Sequence, residues 1–226
     1  MSKEPVFQPD RDSTESNYYK VTEKWRKDFL KWDHEAICRK LKITDYDEGS
    51  IRLPYFGILH SVDRKTGAVS CLGEPWHEPG FDEIMAVYNL FYYSEEGAEN
   101  SGEWVHFRDV RNAGVFEDAF ERQVLRPFAE AFAGKTEAFA QAGRKLGYLP
   151  LDYGDAAFQV PAFPGIPIRV IFWDGDDEFP ASVTILYDKN IIHFIHPENG
   201  VMLGSECMRL FCRAAFEAEK QDVISN

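Results

Sequence analysis

His193 and His196 close an apolar, β-rich stretch, and imidazoles three residues apart are the side chains here best suited to metal or axial-ligand chemistry. On a continuous strand, residues three apart face opposite sides, so the two could share a metal only if Pro197 turns the chain. Zinc or iron would then need a third ligand, from Glu198, Glu206, Cys207 or a distant His60. Ordinary half-buried or surface histidines are the competing reading. Just upstream, Asp174, Asp176, Asp177 and Glu178 crowd one turn, and Asp188 ends the next apolar run. Oxygen clusters suit hard cations, but the EF-hand pattern fails: Phe179 stands where the loop needs glycine, and Ile185 where it needs glutamate. A charged hairpin tip is the simpler reading. Paired with a histidine, Asp155, Asp174, Glu178 or Asp188 could instead serve as a general acid or base. Trp104, Trp173 and Tyr187 are candidate walls for a flat ligand, and Arg108 is one of few cations placed to hold an anionic group.

Other motifs fail on spacing. Ala133-Gly134-Lys135-Thr136 imitates the end of a phosphate-binding loop. Ala129, however, occupies the motif's first glycine position, and a Phe-rich helix precedes it where a strand is required. Gly134 reads as a helix terminator. There is no H-E-x-x-H, no G-x-S-x-G and no G-x-G-x-x-G. Cys207 and Cys212, five apart on a predicted helix, suit neither a redox pair nor a zinc knuckle.

Bulk properties exclude whole classes. The formal charge is −13, and the Lys and Arg residues are interleaved with acids. Nucleic acids and anionic membranes need a basic face, so neither is an expected partner. A small-molecule ligand or a partner protein remains. The longest apolar runs, such as IRVIFW, are far short of a membrane span. The first residues contain no apolar leader segment. The cysteines, Cys38, Cys71, Cys207 and Cys212, form no C-x-x-C pair. A reducing cytoplasm is the expected location. Aromatics make up 15% of the chain, which reads first as a Phe-rich core.

Periodicity predicts the elements that must position these side chains. Residues 1–15 read as a loose lead-in, and 16–226 as one domain. Val21, Trp25, Phe29, Trp32 and Ala36 line one face of a helix over 16–41. Residues 50–72 read as a hairpin turning at Asp63–Gly67, and Pro54 marks its first strand as an edge or a bulge. A helix is predicted over Phe81–Tyr93, and a short strand over 103–110. Phe116, Phe120, Val124, Phe128 and Phe132 then stripe a helix that Pro127 must kink. Further predictions are a helix over Thr136–Leu146 and a strand over 155–160. The clearest hairpin pairs Ile166–Trp173 with Pro180–Tyr187 across Asp174-Gly175-Asp176. Ile191–Ile195 reads as a third strand, and Gly204–Lys220 as a last helix. Strands in hairpins and helices in blocks give an α+β domain: an antiparallel sheet with helices mainly on one face.

GEWVHFRDV, VFEDAF, LDYGDAAF, FWDGDDEFPASVTILYD and HPENGVMLG occur in that order. Together they resemble the bacterial and archaeal family called domain of unknown function 3786, most strongly from Gly102 to Gly204. The resemblance implies an accessory role in anaerobic metabolism around a redox or one-carbon cofactor, with a corrinoid or other tetrapyrrole as the cofactor class. Some members carry a cysteine-rich iron–sulfur segment. This chain has none, so no iron–sulfur cluster is expected. Three functions stay open: a binding protein with His193 or His196 contacting a planar cofactor, an enzyme with a carboxylate/histidine acid–base pair, and a protein-binding subunit.

Overall fold

The computed structural model describes residues 11–74 and 76–216. Helix α1 (Arg11–Phe29) is followed by a separate, short α2 (His34–Lys40), where one helix over 16–41 was predicted. The break has a local cause: the Asp33 carboxylate accepts the Ala36 N–H at 2.9 Å and caps a new helix. Residues 11–15 of the predicted lead-in belong to α1. The rest of it, residues 1–10, lies outside the described residues.

The predicted hairpin over 50–72 is a three-stranded antiparallel meander. Its strands are β1 (Ser50–Tyr55), β2 (Ile58–Asp63) and β3 (Val69–Cys71). The extra turn is Phe56-Gly57, with φ of 50° and 85°. Two left-handed residues match the twist of a tight hairpin, but phenylalanine rarely adopts that conformation. Here the Phe56 ring is buried 4.8 Å from that of Tyr55, and its N–H donates to Ala162 O at 2.9 Å. Those contacts offset the backbone cost. Pro54 lies on an edge strand, as predicted.

Helix α3 (Phe81–Tyr93) forms where periodicity places it. Strand β4 (Trp104–His106) leads through short 3-10 turns to α4 (Glu117–Phe120) and α5 (Arg126–Phe132). Between these helices, Glu121–Leu125 form a π turn. Pro127 lacks an N–H, and its ring would strike the carbonyl of Gln123. The widened turn makes room for it, so the phenylalanine stripe continues around the kink.

Helix α6 (Thr136–Lys145) precedes β5 (Leu149–Leu151), β6 (Ala156–Phe163), β7 (Ile166–Trp173) and β8 (Ser182–Asp188). The second sheet is antiparallel in the order β4-β8-β7-β6-β5. The predicted hairpin is β7–β8, in register from Trp173–Ser182 to Ile168–Tyr187. Ile191–Ile195 adds no strand. Ile191–His193 is a 3-10 turn, because the Asp188 carboxylate accepts the Asn190 N–H at 2.9 Å and turns the chain out of the sheet.

The last helix, α7 (Glu198–Phe216), starts six residues before the predicted Gly204. Gly200 and Gly204 are not breakers. A Cβ on either would run into the ring of Phe107 or Phe120, so glycine lets α7 approach closely. Residues 217–220 of the predicted helix lie outside the described residues. Helices α5 and α6 pack on the five-stranded sheet, α7 packs on α6, and their interior is phenylalanine-rich. Phe139 stacks on Phe211 at 4.7 Å and on Phe172 at 5.1 Å. Most of the aromatic load is therefore core, in an α+β fold as predicted.

Candidate functional site

The predicted site residues do not assemble into one place. His193 Nδ1 lies 2.8 Å from Glu95 Oε2. His196 instead sets its ring 5.1 Å from that of Tyr93. The two have separate partners, and among the described residues no three His, Cys, Asp or Glu side chains are grouped to hold a metal. The Arg169 guanidinium sits 4.0 Å over the Trp104 ring. Trp173 is half exposed at the end of β7. Tyr187 is wholly buried and donates its O–H to Gly200 O at 2.7 Å, so it is a core pillar and not a pocket wall. Arg108 pairs with Glu117 at 3.5 Å and borders a small cleft of about 90 Å³.

The acidic residues serve the backbone. Asp174 accepts from Gly134 N and Thr136 Oγ1, and Asp176 from the N–H groups of Glu178 and Phe179. Asp177 and Glu178 are exposed on the same hairpin tip. Asp155 accepts the Asp174 N–H at 2.7 Å. Asp188 is no part of that cluster, because β8 separates them by about 20 Å. It is 2% exposed and accepts from Ser101 N, Ser101 Oγ, Gly102 N and Asn190 N. Burial raises its pKa, but those N–H groups outweigh it, and the net shift is downward. None of the four carboxylates predicted as acid–base partners meets a histidine. Among the described residues, the carboxylate–histidine pairs are Glu83 with His60 and His77, and Glu95 with His193.

Glu83 anchors a buried charge cluster that sequence reasoning missed. It enters through the first turn of α3, where its Oε2 accepts the Gly80 N–H at 2.8 Å. His77 Nε2 lies 2.8 Å from the same oxygen. His60 Nε2 stands 3.6 Å from Oε1, beyond hydrogen-bond reach but well within electrostatic range. Arg209 of α7 lies 3.9 Å from Oε1 and donates twice to the buried Glu206. Arg213 holds Glu74 through two bonds of 2.7 and 2.6 Å. Burial pushes the Glu83 carboxyl up, but His60, the Gly80 N–H and His77 together bring it down to about 2. Glu206 moves the opposite way, because its burial outweighs Arg209. The nearby Tyr55 and Tyr148 hydroxyls are buried without partners. Glu83 of α3 thus meets His60 of β2 and Arg209 of α7, and the cluster clamps α3, α7 and the meander together. His77 and Glu83 flank the Pro79-Gly80 helix entry, a signal that a search for H-E-x-x-H passes over.

A solvent-open site lies at the other end of α3. Lys24, Trp25, Asp28, Lys31, Trp32, Tyr92 and Tyr93 line a cleft of about 380 Å³ between α1 and α3. Trp25 meets Tyr92 at 5.5 Å and Trp32 at 6.1 Å, and Trp32 meets Tyr92 at 5.4 Å. Tyr92 is 55% exposed. Lys20, Lys24 and Lys27 follow one another at helical spacing on the exposed side of α1, and Lys31, two residues past its end, pairs with Asp28 at 2.8 Å. Residues 17–31 carry five cations against two carboxylates, a local reversal in a chain of charge −13. The α1 wall is fixed by Arg26, which donates to Thr66 O at 2.6 Å. Tyr88, on α3, reaches Gly67 O in the same turn. The stripe predicted to line one helix face thus divides: Phe29 is buried, while Trp25 and Trp32 reach the cleft.

A family model matches residues 33–209. The chain belongs to the family described as Domain of unknown function (DUF3786). No curated protein and no solved structure matches it. The DUF3786 match includes His60, His77, Glu83, Glu206 and Arg209 of the buried charge cluster, but not Arg213, together with Tyr92, Tyr93 and His196. Lys24, Trp25, Asp28, Lys31 and Trp32 precede it, so the α1 wall of the cleft is this chain's extension beyond the matched DUF3786 segment.

Proposed function

We propose that this protein binds a flat, anionic ring system in the cleft between α1 and α3, with a tetrapyrrole as the first class to test. The observation that carries the reading is the pairing of two tryptophans and two tyrosines with a lysine row in an otherwise acidic chain. Ring faces supply stacking area, and the lysines offer counter-charges for carboxylates at a ligand's edge. The volume falls within the usual range for small-molecule sites. No lining side chain is an imidazole, which favours stacking over axial ligation. A corrinoid, bulky on both faces and dependent on an axial donor, fits this cleft less well. The role is that of a binding or accessory protein, in which ring faces and lysine counter-charges hold the ligand. The four free cysteines support a reducing cytoplasm as its place of work.

Titration with protoporphyrin IX and with haemin, followed by tryptophan fluorescence, tests the proposal. Saturable quenching is expected, weakened by Trp25→Ala and by Lys24→Glu, with the porphyrin dimethyl ester binding less well than the diacid. Absence of saturable quenching by either ring, or undiminished binding to Trp25→Ala, would overturn it.

A further inference from the structure

The cleft between α1 and α3 does not end at its aromatic walls. A second, more open trough of about 560 Å³ runs over the solvent side of α1. It shares Lys24, Asp28 and Lys31 with the cleft, so the two are continuous. Past that boundary the lining adds Tyr19, Lys20 and Lys27 and contains no tryptophan. The ring-lined half offers stacking area, and the lysine-lined half offers charge.

The charge left over on α1 is large. Residues 17–31 carry five cations and two carboxylates, and both carboxylates are already engaged. Arg26 holds Glu23 through two bonds of 2.7 Å, and Lys31 holds Asp28 at 2.8 Å. Among the described residues, Lys20, Lys24 and Lys27 are exposed and form no ion pair. They stand three and four positions apart, so their ammonium groups are neighbours along one row of the helix. Like charges at that spacing weaken a helix, and an anion lying along the row offsets the repulsion. From Lys20 to Lys27 the row spans about 10 Å of helix axis. The platform beneath it is fixed. Tyr18 sets its ring 4.6 Å from that of Phe81 at the start of α3, Trp25 meets Tyr92 near the end of α3, and Arg26 reaches Thr66 O. These ties hold the lysine stems in line with the mouth of the cleft.

We infer that the ligand of the cleft is a flat ring carrying three or more negative charges, some of them on an arm that leaves the ring past Lys24 and lies along Lys27 and Lys20. This inference rests on the ring-binding reading of the cleft and specifies the charge and the reach of the ligand. A ring with two acid groups on one edge is matched by Lys24 and one neighbour, and leaves the far end of the row without a counter-charge. Carboxylates and phosphates present the same chemistry to this row, because an ammonium group meets either as a point charge.

The test uses the full chain and two series of probes, followed by tryptophan fluorescence. Protoporphyrin IX and coproporphyrin III share one ring and carry two and four carboxylates. Riboflavin, flavin mononucleotide and flavin adenine dinucleotide share another and carry no, one and two phosphates. An exposed ion pair contributes up to about fivefold in affinity, so two added contacts should give about tenfold. That gain is expected from the least to the most charged member of a series at low salt, and it should vanish toward about 1 M salt. Lys20→Glu combined with Lys27→Glu should abolish the gain and weaken the least charged member far less. Arg122→Glu, the same charge change on the exposed π turn, should leave the gain intact. A gain among the porphyrins assigns the arm's charges to carboxylates, and a gain among the flavins assigns them to phosphates. Equal binding within both series, or a gain that survives Lys20→Glu with Lys27→Glu, would overturn the inference and leave the ring-binding reading standing. No saturable quenching by any of the rings would remove both.

Discussion

Glu83→Gln removes the charge around which α3, α7 and the meander are clamped, and its cost can be worked from the structure. The Glu83 carboxyl is a stronger acid in the fold than in the open chain, its pKa falling from 4.5 to about 2. At about 1.4 kcal/mol per tenfold change in acidity, that corresponds to about 3 kcal/mol of stability. Glu83 is 5% exposed, so solvent screening takes little away. Breaking a buried ion pair by removing one partner costs about 3–5 kcal/mol, which agrees. Because the folded pKa is depressed, this stability is present above pH 4.5 and is lost as pH falls toward about 2. Glu206 responds in the opposite sense, since its raised pKa means that protonation relieves a buried charge. The acid response of the native protein therefore mixes both, and the difference from Glu83→Gln isolates Glu83. Urea unfolding at a series of pH values is the assay. At pH 7 the variant should lose about 3 kcal/mol, or about 6–12 °C in Tm for a domain of this size. The gap should close progressively below pH 4.5. A loss under about 1 kcal/mol at pH 7, or a gap that stays constant between pH 5 and 3, would refute the reasoning.

Two further substitutions probe how the fold is held. Gly204→Ala raises helix propensity by about 1 kcal/mol, yet its Cβ must overlap the Phe120 ring, and overpacking costs about 1–3 kcal/mol. Net destabilisation in thermal melts is expected, and a higher Tm would show that α7 can shift outward. Asp188→Asn places an amide against the N–H donors of Ser101, Gly102 and Asn190. A loss of about 1–3 kcal/mol in urea unfolding is expected, with faster hydrogen exchange at Ser101 and Gly102. Unchanged exchange there would remove Asp188 from its role in holding the 99–104 segment to β8.

What the sequence determined by itself is local. Apolar spacing of two and of three to four places β7, β8, α3, α5 and α6, because those periods decide which side chains share a face. The β7–β8 pairing follows from the two alternating runs, but the predicted Asp-Gly turn does not form, and the eight residues 174–181 join Trp173 to Ser182. The short apolar runs also agree with the absence, among the described residues, of a helix long and apolar enough to cross a membrane. Tertiary structure decided the rest, wherever an energy depends on residues far apart in the chain. Phe56 turns left-handed because Tyr55 receives its ring in the core and Ala162 of β6 accepts its N–H. Gly200 and Gly204 belong inside a helix only because Phe107 and Phe120 arrive against them. His193 and His196 are the most conspicuous chemical groups along the chain, but each finds its own neighbour, Glu95 or Tyr93, and they build nothing together. His60, His77, Glu83, Glu206 and Arg209 look unrelated in sequence, and become one network around the buried Glu83 because folding packs β2, α3 and α7 against one another.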